Sequence, residues 1–230
     1  MFTINGEQVL LEDLIEFLKS NDKLVLGENA KMKIQKCRTY LDEKIENSNE
    51  HFYGINTGFG SLYNQSISKN DLKALQVNLV RSHACGTGQK VPRNIVKYML
   101  LLKALGLSYG HSGAQLETIE RLIDLYNNDV IPVVYEQGSL GASGDLSPLA
   151  HIALTLIGEG EVYYKGDIKP SIEVMNLLGL KPIALKSKEG LALLNGTQFM
   201  SAYLLDAVIK GKQLVEQGTI ISAMTIEAYD

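Results

Sequence analysis

Cysteine is scarce: Cys37 and Cys85 are the only two in 230 residues. Both lie on apolar helical patterns without CxxC spacing, which suggests neither a disulfide framework nor a zinc site and fits a reducing cytoplasm. Basic charge is also short, with 22 Lys and Arg against 26 Asp and Glu and a net charge of -4. These charges are scattered, so no electrostatic footprint for nucleic acid or an anionic membrane is present. The four histidines fall in no grouping with Asp or Glu at metal-ligand spacing. The most apolar run, YMLLLKALGL at 98–107, is too short to span a membrane and is broken by Lys103. The start, MFTINGEQVL, lacks the basic and apolar regions of a secretory leader. Nucleotide-binding fingerprints are incomplete as well. In GTGQKV, Lys90 follows Gln89 and precedes Val91, against the GxxxxGK[ST] a phosphate loop needs, and Gly58-Phe59-Gly60 has no third glycine at dinucleotide spacing. No internal repeat or low-complexity segment is found.

What is present is helical periodicity interrupted by glycine-rich loops. Hydrophobic residues make up 45% of the chain, enough for a substantial core. A strand-like start turns at Asn5-Gly6 into a helix with Leu11, Leu14, Ile15 and Leu18 at apolar spacing. Leu72, Leu75, Leu79 and His83 fall near one face of another helix. Pro92 and Gly113 mark two further helix entries, and Ser147-Pro148 reads as an N-cap followed by proline at the first helical position. EVYYKGDIKP alternates and turns at Lys165-Gly166-Asp167, predicting a small β-hairpin. From residue 188 the pattern is helical to Asp230 with no stop signal, so the last helix is expected to be cut rather than finished. The predicted fold is mainly α, with two or three ordered glycine-rich loops. A first domain is expected over 1–187, and 188–230 is expected to begin a long helical bundle.

One loop, GSLGASGDLSPLA at 138–150, carries distinctive chemistry. Backbone cyclisation needs a carbonyl beside a small side chain, an unhindered amide nitrogen two residues on, and a geometry forcing them together. Ala142 and Gly144 supply the first two, and Ser143 between them can lose its hydroxyl as water, leaving a methylidene conjugated to the new ring. Such a group is an electrophile made only of protein. The N-termini of helices beginning near 145–148 would favour the electron density that builds up when a nucleophile adds to it.

The longer string GSLGASGDLSPLAHIAL resembles the signature of the aromatic amino acid ammonia-lyase family, whose Ala-Ser-Gly becomes a 4-methylidene-imidazol-5-one. YGINTGFGSL is similar to that family's tyrosine loop, LQVNLVRSHACGTG to its substrate-selecting helix, GEGEVYYKG to its hairpin and KEGLALLNGTQFM to its asparagine helix, all colinear. The resemblance implies that Ala142, Ser143 and Gly144 form the electrophile, with no external cofactor. Asp145 is then a structural cap or an aid to cyclisation. Tyr53 matches the base that removes the β-proton of the substrate; a phenol ordinarily titrates near 10, so this role requires surroundings that stabilise phenolate. His83 matches the position facing the substrate side chain, where Ser-His goes with histidine and some tyrosine ammonia-lyases. Asn195 and Gln198 match pocket-lining amides, and the NGTQ form resembles the histidine enzymes most. His151 is expected to pack in the core.

The resemblance implies elimination of ammonia from L-histidine to give trans-urocanate, with the amine or the ring as the point of attack. Tyrosine or phenylalanine remains open as substrate, and so does a non-catalytic N-terminal fragment. Family members are more than twice as long and assemble as homotetramers. Their C-terminal part supplies a further tyrosine, an arginine and an acidic residue to the site, so the isolated chain is expected to be inactive.

Overall fold

The computed structural model describes residues 1–47, 50–57, 71–140 and 143–229. It is mainly helical. At its centre lies α4 (Arg93–Ser108), whose Ile95, Val96, Met99, Leu100, Leu101, Ala104 and Leu107 are buried around most of the helix circumference. A helix apolar on nearly all sides must be enclosed, and here α2 (Glu28–Asn47), α5 (Leu116–Asn127) and α9 (Gln198–Ala228) pack on it. A second group, α3 (Leu72–His83), α6 (Leu146–Leu156) and α8 (Glu189–Leu194), packs mutually beside the centre. The short helices α1 (Leu11–Lys19) and α7 (Ser171–Leu177) complete the helical set among the described residues.

The strands are short and peripheral. The opening strand β1 (Phe2–Ile4) pairs in parallel with β2 (Leu24–Leu26), across α1. The expected hairpin forms between β6 (Glu161–Tyr164) and β7 (Asp167–Pro170), with Lys165 and Gly166 both at positive φ as a tight two-residue turn requires. It gains a third strand, β4 (Ile131–Pro132), and the excursion around 138 is preceded by β3 (Thr87–Lys90) pairing antiparallel with β5 (Tyr135–Gln137).

Two sequence expectations need correction. Helix α6 starts at Leu146 with Asp145 at the N-cap, so Ser147 and Pro148 lie inside its first turn, buried. The segment after 188 is not one helix: it breaks at Asn195-Gly196-Thr197, where Gly196 takes φ +146. Glycine alone reaches that conformation without strain. Beyond this break only Ala202 and Leu205 of α9 are buried, and residues 212–229 are exposed. No helix among the described residues is long and apolar enough to cross a membrane.

Candidate active site

The break between α8 and α9 meets the loop that precedes α6. Gly144 and Gly196 form an isolated parallel bridge, and the Asp145 N–H donates to the Gly196 carbonyl at 2.8 Å. Gly144 has φ +96, and a Cβ there would stand 2.2 Å from the Gly196 oxygen, so no other residue fits at 144. Above this contact the Ser143 hydroxyl donates to the Asn195 amide oxygen at 2.6 Å. Asn195 is itself anchored: its amide NH2 donates to the Leu191 carbonyl at 3.0 Å. Ala142 lies outside the described residues.

Asp145 is 1% exposed and accepts from the N–H groups of Phe199 and Met200, both at 3.1 Å. It therefore caps α9, where the Thr197 side chain makes no capping bond, and although Asp145 stands at the N-cap position of α6 its side chain makes no capping bond to that helix. Two helix N-termini thus converge beside Ser143, and their combined dipoles favour negative charge there.

His83 ends α3 and shares a cavity of about 170 Å³ with Ser82, Cys85, Leu140, Ser143 and Gly144. The Nδ1 of His83 donates to the Leu79 carbonyl at 2.9 Å, since a carbonyl only accepts. That fixes the tautomer, so Nε2 is the nitrogen left to meet a ligand. Tyr53 is 57% exposed and lines a neighbouring cavity with Asn195, His111, Ser112 and Lys188. Its loop is held by side chains: the Phe52 N–H donates to Asn56 Oδ1 at 2.7 Å, Asn56 Nδ2 donates to the Glu50 carbonyl at 2.8 Å, and the Gly54 N–H donates to Thr57 Oγ1 at 3.2 Å. Gly58 and Gly60 of the same loop lie outside the described residues. Asn195 thus lines the Tyr53 cavity while its amide oxygen receives Ser143, which lines the His83 cavity.

Gln198 stands apart from both cavities. Its Oε1 is buried without a partner among the described residues, and its side chain packs under Gly196, facing Gly106 of α4. His151, expected in the core, is only half-buried, its Nε2 accepting from the Gly86 N–H at 3.1 Å and its ring against Tyr135, and burial holds it below its ordinary pKa.

Two lysines escaped the motif reading. Lys188, at φ +71, donates to the Ser112 carbonyl at 2.5 Å and brings a cation to the Tyr53 cavity, and burial lowers its pKa. Lys103, in α4, is 2% exposed and donates to the Asn195 carbonyl at 2.9 Å. Desolvation brings its pKa down to about 7. The sequence signal was the charge inside an apolar run, with Met99, Leu100, Gly106 and Leu107 rather than carboxylates a helical turn away.

Comparison with known proteins identifies the family of the chain. The family model for aromatic amino acid lyases matches residues 9–230. A histidine ammonia-lyase of Geobacillus sp. is 44% identical over 227 residues, covering 99% of this chain and 44% of the relative. The crystal structure of histidine ammonia-lyase from Trypanosoma cruzi superposes with a TM-score of 0.82 at 33% identity, over 93% of this chain and 41% of that one. Ergothionase from Treponema denticola gives a TM-score of 0.87 at 27% identity, over 93% and 43%. The chain spans under half the length of these relatives. Matched almost from end to end and folded as their equivalent portion is, the chain belongs to the aromatic amino acid lyase family.

Proposed function

We propose that the chain is the N-terminal part of a histidine ammonia-lyase, which eliminates ammonia from L-histidine to give trans-urocanate. The observation that carries this reading is the shared cavity of His83 and Ser143, with the Ser143 hydroxyl on Asn195. The high identity to a histidine ammonia-lyase supports it.

The family uses a 4-methylidene-imidazol-5-one, and the residues here fit its formation. Position 144 admits only glycine, Ser143 has its hydroxyl oriented by Asn195, and two helix N-termini face the spot. Closing the ring bonds the Gly144 nitrogen to the Ala142 carbonyl carbon. One water takes that carbonyl oxygen with the Ser143 and Gly144 amide protons; the second takes the Ser143 hydroxyl with its α-proton. No oxidant is required. The finished group supplies an electrophile for the substrate amine or ring, which makes a poor leaving group competent.

The chain's own residues do the rest. Tyr53 takes the β-proton, with the Lys188 and His111 side chains lining the same cavity. His83 offers Nε2 to the substrate side chain, and Asn195 orients groups on both sides of its amide. Tyrosine is the second reading, because Nε2 of His83 can also accept from a phenolic hydroxyl. Assembly into a homo-oligomer is supported by the exposed Leu214, Val215, Ile220, Ile221, Met224 and Ile226 of α9.

The intact mass of the purified chain tests the electrophile. A deficit of two waters in the peptide bearing residues 142–144 is expected, and an unmodified mass counts against it. Substrate choice is tested by joining the chain to the segment of the Geobacillus relative beyond its match and assaying histidine, tyrosine and phenylalanine. Histidine should be turned over fastest; tyrosine in first place would favour the second reading.

A further inference from the structure

Lys103 is an expensive residue in its place. Leu100, Leu101 and Ala104 beside it have no exposure, and it is itself 2% exposed. Its single hydrogen bond among the described residues goes to the Asn195 carbonyl. Taking an ammonium out of water without a carboxylate costs far more than one such bond returns, so an apolar side chain of similar length would serve the core better. Burial alone accounts for its depressed pKa.

What the lysine gains is control of one backbone joint. Asn195 follows the last residue of α8, and every polar group it carries is engaged. Its N–H and side-chain NH2 go to the Leu191 carbonyl, its amide oxygen receives Ser143, and its carbonyl receives Lys103. The next residue, Gly196, receives the Asp145 N–H. Gly106, one helical turn after Lys103 on α4, faces the side chain of Gln198. The whole joint between α8 and α9 therefore rests on one face of α4, and Lys103 is the charged group in that seat.

We infer that Lys103 is a positioning residue for Ser143: through the carbonyl of Asn195 it holds the joint in the register that places the Asn195 amide oxygen on the Ser143 hydroxyl. The consequence for dehydration of Ser143 rests on the proposed function; the hold on the joint does not.

The test compares the chain with Lys103→Met, Asn195→Ala and the double variant. Three readings are taken: the urea midpoint, hydrogen exchange of the Asp145 amide, and the fraction of chain lacking two waters. Lys103→Met should keep or raise the midpoint, speed Asp145 exchange about tenfold, as loss of a hydrogen bond to a charged group implies, and lower the dehydrated fraction severalfold. In the Asn195→Ala background it should lower that fraction no further. An unchanged Asp145 exchange rate in folded Lys103→Met overturns the inference, as does an undiminished effect in the Asn195→Ala background. Should methionine not be accommodated, Lys103→Leu is read in the same way. If the parent chain shows no dehydration, the electrophile does not form in this chain alone, while the exchange measurement still decides the role of Lys103.

Discussion

The Asp145 carboxylate accepts from the Phe199 N–H, 54 residues along the chain, and so closes the start of α9 from the loop that begins α6. Together with the Met200 N–H it satisfies two of the donors that a helix start leaves open. Asp145→Ala should lower stability by about 2 kcal/mol or more, because a cap is lost and two N–H groups are left beside a buried gap. Urea denaturation followed by circular dichroism measures this. An unchanged midpoint would mean that α9 starts without help from Asp145.

The glycines of the site and those of α9 should respond with opposite signs. A Cβ at Gly144 would meet the Gly196 oxygen at 2.2 Å in a left-handed conformation, so Gly144→Ala should cost roughly 2 to 4 kcal/mol and prevent dehydration. Gly211 lies in α9 with nothing within 4 Å, so Gly211→Ala should stabilise by about 0.5 to 1 kcal/mol. Thermal melts of the two variants side by side provide the check. A tolerated alanine at 144 would show that the two loops separate more easily than their contact implies.

How far the sequence exposed this arrangement depends on the range of each contact. The hairpin turn at Lys165-Gly166 and the helix periods are local, and both formed as their residue types predict. The parallel pairing of β1 with β2 and the third strand β4 join distant segments, and no short pattern marks them. The site divides in the same way. Gly144 and Asn195 stand inside long motif strings, whereas the choice of α9 rather than α6 as the helix that Asp145 caps is settled only by packing. Lys103 was visible as a misplaced charge, but its acceptor is a backbone carbonyl, which every residue carries and no sequence signal distinguishes.

Glu189 should behave as a structural centre. It is fully buried and its two oxygens receive four donors: the Gln115 N–H at 2.9 Å, Gln115 Nε2 at 2.8 Å, the Thr118 hydroxyl at 2.7 Å and the Lys186 N–H at 2.8 Å. Burial pushes its pKa up, against the pull of these bonds. Glu189→Gln puts an NH2 where donors already point, so at least one buried donor loses its acceptor and stability should fall by about 2 to 4 kcal/mol. Equilibrium denaturation at neutral pH reads the loss. A fall below about 0.5 kcal/mol, within the range of ordinary surface changes, would mean that the cluster rearranges around the amide.

Lys103 should give stability a slope on the alkaline side of neutrality. In the unfolded chain a lysine titrates near 10.4, whereas here desolvation brings the amine down to about 7. Between those values the unfolded chain holds a proton that the folded chain lacks, so stability rises with pH through the window. Below it both states are protonated and the full penalty stands; above it both are neutral and the penalty is gone. Lys103→Met should therefore be the more stable protein near pH 6, on the order of a few kcal/mol, with the advantage shrinking towards pH 10. The bond to Asn195 survives this titration, because a neutral amine still donates, so positioning and stability separate along the pH axis. Urea midpoints of the two proteins across that range measure the difference. A gap that stays constant with pH would show that the advantage of methionine comes from packing and not from the removed charge.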